Sequence, residues 1–253
     1  MLDKGTAQEL SKKLKIDLFT VYREYLQLLF LKYFYSQKGT EKVFFKGGTA
    51  LRFLFDSFRF SEDLDFTSLL PKTKIKILIK KTIKSVGKEI EGIRFQEIKS
   101  IADSFSGKIY QEIPDLKFPL TVKLDFSLRE RPLKPKVSLI ETEFPVAPYP
   151  QVSHLAIEEL AAEKVRAILT RAKGRDVFDL YFILSKKTFL DWRLVNKKMV
   201  LYKRKADLNQ LKKIIEKISS EDLKQDLSKF LPSTHRNLTA RIKELTLAKL
   251  ENG

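Results

Sequence analysis

The chain has 253 residues and a formal net charge of +17, from 49 Lys and Arg against 32 Asp and Glu. Its hydrophobic fraction of 43% is enough for a globular core, which excludes a wholly disordered or fibrous chain. The absence of cysteine excludes a thiol nucleophile, a cysteine zinc site and a disulfide scaffold. The positive charge favours a polyanionic partner such as nucleic acid, although a lysine-rich surface that serves solubility predicts the same composition.

Neither a signal peptide nor a membrane span is indicated. Residues 1–15 contain no apolar core of a signal peptide, and the most apolar stretch, residues 26–35, is far shorter than the ~20 residues that a spanning helix needs. We therefore expect a soluble, cytoplasmic protein with no membrane partner.

The first half of the chain alternates helix and strand patterns. Apolar residues recur at helical spacing over 7–37, and a short apolar strand over 43–45 runs into a glycine turn that opens a helix. The remaining predicted elements are a strand over 63–66, a basic amphipathic helix over 72–91, and strands over 93–98, 108–113 and 121–126, with 104–107 as a connection.

The second half is predicted to be helical. Five of the nine prolines lie between Arg131 and Pro150, which is typical of an extended connection, so we place a domain boundary between residues 145 and 146. Ser153 is predicted to cap a helix that runs to Arg171, with His154 as a capping or packing residue at its start. Further helices are predicted over 176–185, 191–199, 206–218, 222–230 and 238–250.

Three aspartates on two predicted strands form a candidate metal site. Because side chains alternate across a strand, Asp63 and Asp65 share one face, and Asp125 shares a face with Lys123 on the later strand. Mg²⁺ prefers such hard oxygen ligands, and nucleotidyl transfer needs a cation that neutralises a triphosphate. The alternative is a solvated strand face, or salt bridges to nearby arginines.

The turn Gly47-Gly48-Thr49 is a candidate phosphate site. It lies where a strand passes into a helix, and backbone N–H groups at a helix N-terminus can receive phosphate. Glycine allows a close approach of the ligand, but a plain tight turn explains the same residues. The carboxylate pair on the next strand is what favours the phosphate interpretation.

Four segments, taken in order, resemble the AbiEii/AbiGii nucleotidyltransferase toxin family of abortive-infection and toxin–antitoxin systems. They are Lys46–Arg52 with Arg59–Phe66, Lys123–Asp125, Glu159–Ala167 and Arg175–Tyr181. One departure is that many members carry Gly-Ser where this chain has Gly47-Gly48.

The resemblance implies an α+β fold, with a nucleotidyltransferase domain over 1–145 and a helical domain over 146–253 that closes the cleft. The first domain would hold N-terminal helices and a mixed sheet flanked by helices. The resemblance also implies Mg²⁺-dependent transfer of NMP from an NTP to a hydroxyl, at the 3′ end of tRNA or another RNA. A cognate antitoxin protein is the further partner that it implies.

The resemblance and the residue patterns together assign the site. The residues expected to act in catalysis are Asp63, Asp65, Asp125, Lys164 and Asp179, of which the first three would bind the metal. The residues expected to bind nucleotide are Gly47, Gly48, Thr49, Arg52, Ser61, Lys123 and Asp176. For the later residues, ordinary ion pairs on helix faces remain the alternative.

Two other functions share some of these features. A small-molecule nucleotidyltransferase of the antibiotic-modifying kind would use the same carboxylates without needing the positive charge. A non-enzymatic RNA-binding protein with a degenerate site would keep the charge without the chemistry. The lysine pairs and runs at 197–198 and 203–205 are candidates for RNA-backbone contacts, although a solvated helix face predicts the same pattern.

Overall fold

The computed structural model describes residues 2–101, 103–113 and 118–251. Its contacts divide the chain into two compact units, Met1–Leu155 and Ala156–Gly253. The first unit combines a sheet with helices, and the second is helical in its described residues, so the predicted α+β class is confirmed.

The first unit contains four α-helices among its described residues. They are α1 (Lys4–Leu14), α2 (Leu18–Tyr35), α3 (Gly47–Phe55) and α4 (Lys72–Val86). Asp3 and Asp17 cap α1 and α2, because each carboxylate accepts a hydrogen bond of 2.9 Å from the backbone N–H three residues later.

Seven strands form one mixed sheet in the described part of the first unit. They are β1 (Val43–Lys46), β2 (Asp63–Ser68), β3 (Ile93–Ile101), β4 (Ser104–Gln111), β5 (Leu120–Ser127), β6 (Pro135–Leu139) and β7 (Gln151–Leu155). Their spatial order is β3-β4-β5-β2-β1-β7-β6. The pairs β2–β5 and β1–β7 are parallel, and the other pairs are antiparallel.

A row of four phenylalanines crosses the central strands on the core face. Phe45, Phe66, Phe126 and Phe105 are register partners on β1, β2, β5 and β4. The rings of Phe66 and Phe126 stack at 4.7 Å, and Phe34 of α2 lies 5.8 Å from Phe66. Burial of each such side chain contributes about 1.5–3 kcal/mol. Because neighbours along a strand alternate faces, this row fixes the polar residues beside it on the opposite face.

The second unit contains six α-helices among its described residues. They are α5 (Ile157–Arg171), α6 (Gly174–Ser185), α7 (Trp192–Met199), α8 (Leu208–Lys217), α9 (Ser220–Leu227) and α10 (Ile242–Glu251). In the described parts of the chain, no helix is long and apolar enough to cross a membrane.

Three local predictions differ from the structure. Residues 104–107 belong to strand β4 because they pair with β5, and the proline-rich segment contains strand β6. Residues 153–155 belong to β7, and α5 begins only after Ala156, so Ser153 is not its cap. The compact units accordingly divide after Leu155, ten residues beyond the predicted boundary, because β7 pairs with β1 and β6.

Candidate active site

The predicted carboxylates lie together on the polar face of the central strands. On β2, Asp65 has two register partners, Lys46 of β1 and Asp125 of β5. Asp63 is the register partner of Lys123 in the same parallel pair. The three aspartates and Lys123 are half-buried, whereas Lys46 is buried. The site therefore joins residues about 60 positions apart through one pair of strands.

Lys123 lies in the combined field of these carboxylates. Its Nζ is 2.6 Å from Oδ2 of Asp125. Burial lowers the pKa of Lys123, but the hydrogen bond to Asp125 and the charges of Asp125, Asp63 and Asp65 raise it by more, so the net shift is upward. The ammonium is thus kept protonated and offsets part of the negative charge.

The carboxylate oxygens of the three aspartates are suitable ligands for a divalent cation. Their arrangement in the structure does not form a complete metal site. Asp63 and Asp65 offer hard oxygen ligands from one strand face, with Asp125 beside them. Across residues 2–101, 103–113 and 118–251, no group of three or more His, Cys, Asp or Glu side chains is arranged to hold a metal ion. The ion pair between Lys123 and Asp125 engages the carboxylate that was predicted to complete the set.

The N-terminus of α3 reaches this row of charges. Gly47 has φ +80°, and a Cβ there would overlap Oδ2 of Asp65 and lie 3.0 Å from its Cβ. A Cβ on Gly48 would overlap Nη2 of Arg59 and lie 3.1 Å from Oγ of Ser61. Lys46 supplies no side-chain cap for the helix. The glycine pair therefore brings the N-terminus of α3 against Asp65, Arg59 and Ser61. Backbone N–H groups at a helix N-terminus can bind phosphate.

Thr49 and Arg52, which were predicted to bind nucleotide, form hydrogen bonds to neighbouring parts of the protein. The hydroxyl of Thr49 donates a hydrogen bond to the backbone carbonyl of Asp63. The Arg52 guanidinium binds Glu24 through Nε at 2.7 Å and the carbonyl of Ser57 through Nη1 at 3.0 Å. It also lies 4.2 Å above the Phe60 ring. These contacts fix the ends of α3 and β2, and a direct role of either residue in nucleotide binding stays a prediction.

Helix α2 also contributes to this site, which the sequence patterns did not predict. Nε2 of Gln27 donates a 3.0 Å hydrogen bond to the carbonyl of Ser61, and Nη1 of Arg23 is 3.1 Å from Oε1 of Glu62. Burial lowers the pKa of Arg23, with partial compensation by Glu62, Asp17 and Asp63. The available signal was the i,i+4 spacing of Arg23 and Gln27, which places both polar residues on one face of a largely apolar helix.

The remaining predicted residues form a buried cluster within the second unit. Nζ of Lys164 is 3.1 Å from Oδ1 of Asp176 and 2.7 Å from Oδ2 of Asp179. Nε of Arg171 is 2.8 Å from Oδ2 of Asp176. Burial raises the pKa of Asp176, but Lys164 and Arg171 lower it by more, to about 2. The spacing of the two aspartates therefore serves a shared contact with Lys164, whose catalytic role stays a prediction.

Lys198 was predicted as a candidate for RNA-backbone contact, and that prediction is wrong. Its side chain is 1% exposed, and its Nζ lies 2.6 Å from Glu159 and 3.1 Å from Glu163. The ammonium neutralises two carboxylates of α5 inside the helical unit, so it does not contribute to the surface charge.

A mixed sheet with aspartates on its central strands, beside a glycine-led helix N-terminus, is the arrangement of a nucleotidyltransferase fold. MenT4, a nucleotidyltransferase toxin from Mycobacterium tuberculosis H37Rv, has a similar structure, with a TM-score of 0.63 and 18% identity over 98% of this chain and 90% of that one. The sequence profile of the family described as "Nucleotidyl transferase AbiEii toxin, Type IV TA system" matches residues 29–246, so the chain belongs to this family and is a nucleotidyltransferase.

A second solved structure has the same fold. JHP933 from Helicobacter pylori gives a TM-score of 0.59 and 22% identity, covering 94% of this chain and 95% of that one. At these identities the two structures bear on the fold alone, while the family assignment follows from the sequence profile. Among curated proteins, none matches this sequence at a significant level. The predicted family, fold and enzyme class are confirmed.

Proposed function

We propose that this nucleotidyltransferase transfers NMP from an NTP to the 3′-hydroxyl of an RNA, with tRNA as the first candidate acceptor, and that Mg²⁺ assists the transfer. The observation that carries the proposal is the row of Asp63, Asp65 and Asp125 with Lys123, beside the glycine pair at the N-terminus of α3. A triphosphate needs both positive groups and a cation, and the lysine and the hard oxygen ligands on this face of the sheet support a proposal of both.

Each group in the row has a distinct task in the proposed reaction. Asp63 and Asp65, with Asp125, would hold the divalent cation, which when bound neutralises charge on the phosphates. The backbone of Gly47 and Gly48 would receive a phosphate oxygen, and Lys123 would offset charge on the triphosphate.

The wider setting is proposed from the family and the charge. The family description places its members in a type IV toxin–antitoxin system, which supports a toxin with a cognate antitoxin as partner. The net charge of +17 favours a polyanionic acceptor over a small molecule. An RNA acceptor would make the cytoplasm the place of action.

The decisive experiment incubates the purified protein with Mg²⁺, each labelled NTP in turn and total RNA, and resolves the products by size. The Asp63→Asn, Asp65→Asn double variant keeps the side-chain shapes and removes both charges. We expect label on a discrete RNA band with the unaltered protein, and a loss on the order of 100-fold or more with the variant. Asp56→Asn, at an exposed residue at the end of α3, is the control and should label RNA normally.

The other outcomes identify the rival functions. Label that appears only on small molecules would contradict the RNA proposal and indicate a small-molecule nucleotidyltransferase. If no NTP labels any acceptor, while the protein is folded and Mg²⁺ is varied, the chain acts without this chemistry and the non-enzymatic interpretation replaces the proposal.

A further inference from the structure

A short loop of the second unit exposes apolar and basic side chains together. This basic loop, residues 200–205, connects α7 to α8 and is exposed along its whole length. Val200, Leu201 and Tyr202 are 69%, 44% and 40% exposed, and Lys203, Arg204 and Lys205 follow them directly. A run of large apolar side chains in water marks an interaction surface more often than a solubility feature.

Hydrogen bonds and two buried flanking residues anchor the backbone of the basic loop. Met199 and Ala206 are buried at its two ends. Oδ1 of Asn196 accepts a 2.8 Å hydrogen bond from the backbone N–H of Ala206, and Nδ2 of Asn196 donates to its carbonyl at 3.1 Å. Lys203 adopts φ 51° and its N–H donates to the carbonyl of Val200 at 2.9 Å. The loop therefore presents its side chains from an anchored backbone.

The charges of the basic loop are available to an external anion. Among the described residues, no acidic side chain forms an ion pair with Lys203, Arg204 or Lys205. The adjacent acid, Asp207, accepts a 2.9 Å hydrogen bond from the N–H of Gln210 and caps α8. On α7, Arg193 and Lys197 are exposed at i,i+4 spacing and extend the positive charge from the helix to the loop.

From this combination we infer that the basic loop binds single-stranded RNA. Tyr202 stacks on a base, and Lys203, Arg204 and Lys205 contact phosphates, which is the pairing of aromatic platform and cations that single-stranded nucleic acids bind. The inference rests on the proposed function, because it supplies the contact surface for an RNA acceptor. An anionic lipid surface would also attract the charges, but three apolar residues on a short turn offer little area for insertion.

The test measures binding of a fluorescein-labelled 12-nucleotide RNA of mixed sequence to the full chain by anisotropy, without NTP. We expect Lys203→Gln, Arg204→Gln, Lys205→Gln to weaken binding by about 10-fold or more and to reduce the slope of log affinity against log salt by about 2. Tyr202→Ala should weaken binding by about 10-fold at an unchanged salt slope, while Tyr202→Phe should bind normally.

A charge-matched control distinguishes RNA binding by the basic loop from attraction to the overall positive charge of the protein. Lys213, Lys217 and Lys224 are exposed lysines on α8 and α9, and their triple substitution by Gln removes the same charge elsewhere on this unit. Equal losses in the two triple variants would overturn the inference. So would a loop triple variant that loses binding to phosphatidylserine vesicles and keeps RNA affinity. Because the assay involves no transfer, RNA binding that depends on the loop would stand even if the labelling experiment failed.

Discussion

At the scale of single residues, Gly47 carries two constraints that can be tested apart. Its φ of +80° is strained for any L side chain, and a Cβ would overlap the Asp65 carboxylate. We expect Gly47→Ala to cost about 1–2 kcal/mol of stability from the backbone alone. By displacing Asp65 it should also lower transfer activity by about 100-fold. Thermal unfolding and the RNA-labelling assay measure the two effects.

Gly39 provides the matched control for this substitution. It has φ +97°, and nothing lies within 4 Å of the position that a Cβ would take. Gly39→Ala should therefore lose similar stability and keep its activity. If the two variants lose activity equally, backbone strain alone explains the loss. The close approach of Gly47 to Asp65 is then not needed for activity.

At the scale of elements, helix α5 depends on a lysine from α7. Lys198 is the buried cation between Glu159 and Glu163, which are i,i+4 neighbours of like charge on α5. Lys198→Met leaves these carboxylates without that compensation, and we expect it to lower the free energy of unfolding by about 3–5 kcal/mol in a urea titration. Lys197→Met, at the exposed neighbour, should change it by no more than about 0.5 kcal/mol. Equal stability of the two variants would show that the buried ion pairs are not needed.

The same elements show which features a sequence can predict. Alternation along β2 and β5 was sufficient to place Asp63, Asp65 and Asp125 on polar strand faces, because the intervening apolar residues must enter the core. Alternation says nothing about register, so the pairing of Asp65 with Asp125 required the structure. The Lys123–Asp125 ion pair follows from side-chain placement that no local pattern specifies.

Where local patterns failed, long-range contacts decided the structure. Residues 153–155 were assigned to the start of the helix that follows them, yet pairing with β1 and β6 makes them part of a strand. Lys198 lies in a basic run that is typical of a surface, and its burial depends on Glu159 and Glu163, which are between 35 and 39 positions away in the sequence. The available signal was the i,i+4 spacing of Glu159 and Glu163 on α5, because two like charges on one helix face need a cation beside them.

At the scale of the whole molecule, acid stability should depend on the cluster in the second unit. The folded-state pKa of Asp176 is about 2, against an ordinary 3.8, because Lys164 and Arg171 outweigh the effect of burial. A depressed carboxyl pKa contributes stability that is complete above about pH 4 and is lost as the pH falls towards 2. The shift corresponds to about 2 kcal/mol.

The stability that the Asp176 carboxylate contributes can be measured separately from general charge repulsion. That repulsion also grows at low pH, because a chain of net charge +17 becomes more positive as it gains protons. Asp176→Asn should be less stable at pH 7, because Lys164 and Arg171 lose a buried partner. Between pH 5 and pH 2 the unaltered protein should lose about 2 kcal/mol more than this variant, measured by denaturant unfolding. Asp56→Asn removes an exposed carboxylate and should follow the unaltered protein. If Asp176→Asn does the same, the acid sensitivity of the molecule arises from its other carboxylates, and the cluster of Lys164, Asp176 and Arg171 contributes no pH-dependent stability.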